Sequence, residues 1–137
     1  MTRVVIDTNV LVSAVIGRGK PRRLLRRVLS RHSAISSKEM IAELADVLPR
    51  EKFSLTSGQV ARFLSIYVRR AEVVDLKRRV EVVDEDPDDD MVLGTAVNGR
   101  AAFIITGDRH LLKLREFEGV RIKTVDAALR LLSTVSE

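Results

Sequence analysis

The stretch that most constrains this chain is its opening, Val4-Val5-Ile6-Asp7-Thr8-Asn9-Val10-Leu11-Val12. Three consecutive apolar β-branched residues read as a strand buried on both faces, the habit of parallel sheets. A carboxylate follows at once. If Val4–Ile6 is a central parallel strand, Asp7 lies at its carboxyl end, the rim where open α/β sheets place their chemistry. An ionised carboxylate is costly to bury unless something pairs with it. Asp7 can also serve simply as the cap of the next helix, so its role depends on whether other acids reach the same rim.

The remainder alternates helix and strand patterns. Val10–Ile16 continues as a helix beginning near Thr8 or Asn9, and Gly17-Arg18-Gly19-Lys20-Pro21 breaks it. Gly17-x-Gly19-Lys20 lacks the spacing of a phosphate loop, and no Ser or Thr follows the Lys. Proline suits the first turn of a second helix, Arg22–Arg31, with Leu24, Leu25, Val28 and Leu29 at helical spacing. Its other face carries Arg22, Arg23, Arg26, Arg27 and Arg31. Ser33–Ser36 is a short candidate strand. Ser36 or Ser37 caps a helix to about Leu48, with Glu39 placed to complete a capping box with Ser36. A further helix runs from Thr56 or Ser57 to about Arg70, and Glu72–Asp75 is a third strand.

Lys77–Asp86 is a charged connection with an extended piece expected at Val80–Val83. Asp88-Asp89-Asp90 opens a helix through Val97, with acids in the first turn where the macrodipole favours them and Gly99 placed to end it. Phe103–Thr106 is a strand, Gly107-Asp108 a tight turn, and Arg109–Lys113 a short helix followed by a loop. A strand at Arg121–Thr124 and a helix at Asp126–Ser133 complete the pattern. Such alternation implies the α/β class: a three-layer α/β/α sandwich with a central parallel sheet and right-handed crossovers. The 137 residues suit one domain, residues 1–137.

Composition narrows the setting. No apolar run approaches the roughly 20 residues that span a bilayer, the N-terminus carries no signal-peptide pattern, and there is no Cys for a disulfide or thiolate site. The expectation is a soluble, cytoplasmic protein. The net charge of +5 is unevenly spread. Residues 1–80 hold 17 Lys and Arg against 7 Asp and Glu, whereas residues 81–137 hold 7 against 12. A basic face beside an acidic cluster suits an enzyme on a polyanion, with cations gripping phosphates and carboxylates holding a metal at the scissile one. With one Tyr, four Phe and no Trp, base stacking has little to work with, so charge would supply the grip.

Four acidic positions converge on one rim in this reading. Asp7 ends the first strand, Asp108 follows the Phe103–Thr106 strand, and Asp90, with Asp88 and Asp89, opens the helix before that strand. Glu43 borders the apolar stripe of the helix after Ser37. Carboxylates that close raise one another's pKa unless a cation is present. The set therefore points to a hard divalent ion on oxygen ligands, Mg²⁺ or Mn²⁺, while His32 and His110 are too few for a zinc site. Phosphodiester hydrolysis is the reaction such sites commonly serve. A Mg²⁺-dependent phosphatase or a phospho-accepting receiver also uses a strand-end Asp. The former wants a second Asp where Asn9 stands, and the latter a Lys that only Lys123 offers.

Val-Val-Ile-Asp7-Thr8-Asn9-Val-Leu-Val, Glu43-Leu-Ala-Asp-Val-Leu, Asp86-Pro-Asp-Asp-Asp90-Met-Val-Leu and Ile-Ile-Thr106-Gly107-Asp108-Arg-His-Leu-Leu together resemble the PIN-domain family. The likeness is nearest to the prokaryotic branch of toxins in toxin–antitoxin systems, related to VapC-type ribonucleases. It covers nearly the whole chain, with the motifs in order and at the right spacing. The resemblance implies a metal-dependent endoribonuclease with catalytic acids Asp7, Glu43, Asp90 and Asp108. Asp7, Asp90 and Asp108 would ligate one or two Mg²⁺ or Mn²⁺ ions, and Asn9 and Thr106 would support them. Asp88 or Asp89 can take the third place; Asp90 is preferred because Leu93 and Ala96 follow at +3 and +6. RNA is the implied substrate, with Arg22, Arg23, Arg26 and Arg27 as candidate phosphate contacts. A cognate antitoxin and a homodimer are the implied partners. The alternatives are an RNA-processing nuclease without a toxin role and a non-catalytic RNA- or partner-binding module.

Overall fold

The computed structural model describes residues 1–81 and 87–135. Six strands form one sheet: β1 (Arg3–Ile6), β2 (Ser33–Ser37), β3 (Glu72–Val74), β4 (Phe103–Ile105), β5 (Glu116–Phe117) and β6 (Val120–Lys123), in the order β3-β2-β1-β4-β6-β5. β1 pairs in parallel with β2 (Val4 opposite Ala34) and with β4 (Val5 opposite Ile104). The other pairs are parallel as well, except β5, which runs antiparallel to β6. The helices among the described residues are α1 (Thr8–Ile16), α2 (Lys20–Arg31), α3 (Lys38–Val47), α4 (Ser57–Arg70), α5 (Pro87–Asn98), α6 (Arg109–Leu114) and α7 (Val125–Val135), with a 3₁₀ turn at Glu51–Phe53.

Alternation along the central strands divides the core into two layers. Val4, Ile6, Phe103 and Ile105 face α1, α2, α3, α4 and α7, packing on Leu11, Leu24, Val28, Leu44, Tyr67 and Leu132. Val5, Ile35 and Ile104 face the other way, onto Val92, Leu93 and Ala96 of α5 and Leu111 of α6. Both faces of the sheet are covered at Val4–Ile6 of β1 and at β4, which is why these stretches are uniformly apolar. The three-layer α/β/α sandwich is therefore the observed fold. Its departure from a purely parallel sheet is the β5–β6 hairpin, where a loop was expected. Glu118 (φ 49°) and Gly119 (φ 86°) turn that hairpin, and two residues of strand are too few to leave a period-2 signal.

Other differences are local. Ser37, not Ser36, caps α3, its hydroxyl accepting from the Met40 amide at 3.3 Å. The expected Ser36–Glu39 capping box is thus out of register. Thr56 forms a capping box with Gln59 at the head of α4. α5 ends at Asn98, directly before Gly99 as expected, but the left-handed conformation falls on Arg100 (φ 54°). Gly99 is needed for contact instead, because a Cβ there would lie 2.4 Å from Ile35 Cγ2. Of the extended piece expected at Val80–Val83, the part from position 82 lies outside the described residues, as does Asp86.

Candidate metal-binding cleft

The sheet order turns between β1 and β4: the chain builds outward through β2 and β3, then returns to add β4 on the other side of β1. A crevice opens at the carboxyl ends of strands where the order reverses, and Asp7 and Asp108 both lie there. Buried Asp7 accepts a hydrogen bond at each of its carboxylate oxygens. Oδ1 accepts from the Thr8 amide at 2.8 Å, so the helix-capping role is real. Oδ2 accepts from the Thr106 hydroxyl at 2.7 Å. Thr106 Oγ1 in turn accepts from the Asp108 amide at 2.9 Å, so one hydroxyl ties the two strand ends together. Asp108 caps α6 by accepting from the His110 amide at 2.7 Å. Each capping bond uses only part of a carboxylate's acceptor capacity.

From the other side α3 turns Glu43 into the same cleft. Glu43 is half-buried and accepts from the Thr8 hydroxyl at 2.5 Å. Burial pushes its pKa above the ordinary carboxylate value; the Thr8 bond opposes this, and the negative charges of Asp88 and Asp7 add to it. The third contribution is the start of α5. Asp89 is 4% exposed, whereas Asp88 is exposed and Asp90 half-buried. The cleft, about 470 Å³, is lined by Asp7, Thr8, Asn9, Glu43, Asp88, Asp89 and Asp108 among others.

Four of the expected positions, Asp7, Asn9, Glu43 and Asp108, thus line one cleft, and Thr106 lies directly beneath it. Asp90 does not. It lines an adjoining cavity of about 450 Å³ with Leu76, Arg78, Val80, Met91 and Gly94. The reason is helical phase. Seven residues, not six, bring a helix back to nearly the same direction, so buried Ala96 and Leu93 lie in line with Asp89. Sequence reasoning also passed over Thr8, whose hydroxyl fixes Glu43, and His110, which stands with Asp89 and Asp108 where one ligand atom from each falls within 4.8 Å of the others. The i,i+2 spacing of Asp108 and His110 across a helix cap was the available signal. The donor set is dominated by carboxylate oxygens, which suits Mg²⁺ or Mn²⁺ over softer metals.

The arginines expected on phosphates separate into two groups. Arg22 is turned onto α1, donating from Nε to the Ala14 carbonyl (2.9 Å) and from Nη2 to the Val15 carbonyl (2.7 Å). It satisfies carbonyls left open at a helix end. Arg23, Arg26 and Arg27 line a groove away from the cleft.

Residues 3–110 match the family model described as PIN domain, a span that includes every acid of the cleft. The chain belongs to the PIN-domain family, whose members are generally nucleases. Among solved structures, its fold is similar to that of a chain in the crystal structure of VapBC2 from Rickettsia felis bound to a DNA fragment from their promoter. That likeness has a TM-score of 0.63 at 18% identity, covering 89% of this chain and 98% of the other. No curated protein sequence matches the chain. Among the described residues, no helix is long and apolar enough to cross a membrane.

Proposed function

We propose that this chain is a Mg²⁺- or Mn²⁺-dependent endoribonuclease, a single domain over residues 1–137, acting in the cytoplasm as the toxin of a toxin–antitoxin pair. The observation that carries the proposal is the convergence of Asp7, Glu43, Asp88, Asp89 and Asp108 on one cleft at the sheet's switch point. Gathering five carboxylates is unfavourable in isolation and becomes favourable around a cation. Asp7, Asp89 and Asp108 would hold the ion, with His110 at its margin, and Asp89 takes the place assigned above to Asp90. A bound divalent ion supplies a nucleophilic water at neutral pH and charge for the leaving oxygen.

The protein's own groups do the positioning. Thr106 and the Thr8 amide fix both oxygens of Asp7. Glu43, its carboxyl pKa raised by burial, is suited to accept a proton from the attacking water. Asn9, exposed at the cleft mouth, is placed to meet the substrate.

The toxin role is supported by the likeness to a VapBC2 chain, and it brings with it an antitoxin partner and a homodimer. Cleavage of single-stranded RNA with Mg²⁺, Mn²⁺ or EDTA, by the native protein and by Asp7→Asn, tests the proposal. Activity should require the ion and vanish in the variant. Equal activity in EDTA would reject the mechanism, and metal binding without cleavage would favour a binding module.

A further inference from the structure

A second concave surface lies along the seam of α2 and α7. This groove, about 290 Å³, is lined by Arg23, Arg26, Arg27, Ser30, Arg31 and Ser133, so no acid lines it among the described residues. The two helices run side by side from one rim of the sheet to the other. At their heads Lys20 pairs with Asp126 at 2.8 Å, just past the carboxyl end of β6. Midway, Arg27 Nη1 donates to the Leu129 carbonyl at 3.2 Å. At the foot of α2, His32 Nδ1 accepts from the Thr2 amide at the amino rim. The groove's lining runs from Arg23, about one turn below the head, to Arg31 and Ser133 near the foot.

Its composition is unfavourable for an isolated helix. α2 contains no acidic residue. Arg23, Arg27 and Arg31 stand at i,i+4 spacing, as do Arg22 and Arg26, and like charges so placed repel. Lys20, Arg22 and Arg23 crowd the helix start, where the macrodipole disfavours cations. At the head of the seam Lys20, and more weakly Arg130 and Arg23, lower the pKa of Asp126. The arrangement is relieved by an extended anion, and guanidinium groups match phosphate oxygens in charge and geometry.

We propose that this groove is a second contact for the substrate, holding the phosphodiester backbone of a single-stranded RNA whose scissile bond lies in the metal cleft. The proposal rests on the ribonuclease reading and adds a contact that reads charge, not base. Arg31 belongs to it and Arg22 does not.

The test is fluorescence anisotropy of labelled RNA in EDTA, where binding is read without cleavage, so it stands even if no ribonuclease activity is found. The variant carries Arg23→Gln, Arg26→Gln and Arg31→Gln, leaving Arg27 to hold α7. For a strand of about 20 nucleotides, the slope of log K against log salt should fall by about 2, since each single-strand phosphate contact contributes about 0.7. The loss should be the same for any base sequence and should shrink as the strand is shortened to about 4 nucleotides. An unchanged slope would overturn the proposal. So would an equal loss on neutralising Arg62, Arg69 and Arg70 of α4, which removes the same charge elsewhere. Tighter binding of a poly-glutamate peptide than of RNA would assign the groove to an acidic protein instead.

Discussion

Replacing Thr106 by Val keeps the shape of the side chain and deletes the one hydroxyl that joins the two strand ends of the cleft. Two hydrogen bonds go with it, from Thr106 Oγ1 to Asp7 Oδ2 (2.7 Å) and from the Asp108 amide to Thr106 Oγ1 (2.9 Å). Thr106 is fully buried, so water cannot replace the lost partner readily. A bond to a charged acceptor contributes about 1.5–3 kcal/mol and a neutral one about 1. The added methyl group recovers about 0.8 kcal/mol through apolar burial. The expected net loss is about 2–3 kcal/mol, measured by urea denaturation in EDTA, and Thr106→Ser, which keeps the hydroxyl, should avoid most of that loss. The same change should weaken Mn²⁺ binding by about 10- to 100-fold, because an orienting partner of a ligand is lost. A Thr106→Val variant within about 0.5 kcal/mol of the native protein, with unaltered Mn²⁺ affinity, would refute the view that this hydroxyl organises the site.

Three further outcomes are expected. Tyr67 is buried against Phe63, and its hydroxyl has no hydrogen-bond partner among the described residues, so Tyr67→Phe should leave stability unchanged or raise it by up to about 1 kcal/mol in chemical denaturation. Gly99→Ala drives a methyl group into Ile35 Cγ2 at 2.4 Å and should cost about 1–3 kcal/mol, read as a lower midpoint of thermal unfolding. Burial, followed by the charges of Asp88 and Asp7, holds the pKa of Glu43 above its reference value of 4.5. A carboxyl raised on folding favours the folded state below its unfolded pKa, and that contribution is lost as pH rises through the folded value. Metal-free protein should therefore lose stability as pH climbs from about 4.5 through the raised folded value, and Glu43→Gln should flatten that slope in denaturation midpoints measured against pH.

Much of this architecture was legible because it rests on short, unambiguous patterns. Val4–Ile6 and Phe103–Ile105 are apolar on both faces, so their place at the centre of a parallel sheet follows, and Asp7 and Asp108 follow as neighbours on its rim. Glu43 was readable only as a residue at the edge of a stripe. What turns it inward is the Thr8 hydroxyl, a contact made across 35 positions of chain. Asp90 was preferred to Asp89 by counting six residues along α5; a helix returns to nearly the same direction at seven, so Asp89 shares the buried line of Leu93 and Ala96 while Asp90 is half-buried. Arg22 looked equivalent to its neighbours on a charged face. Its turn toward the end of α1 depends on how two helices pack, which no local pattern records. The β5–β6 hairpin escaped notice because its pairing outweighs a propensity signal spread over only a few residues.

The central claim is that the acids of this cleft, with Asp89 among them, share one divalent ion. Titration calorimetry with Mn²⁺ on the native protein and on Asp7→Asn, Asp89→Asn and Asp90→Asn tests it most directly. Saturable binding should appear in the native protein and in Asp90→Asn, and should be lost in Asp7→Asn and Asp89→Asn. Binding that survives in Asp7→Asn and Asp89→Asn but disappears in Asp90→Asn would contradict the account and move the metal to the neighbouring cavity.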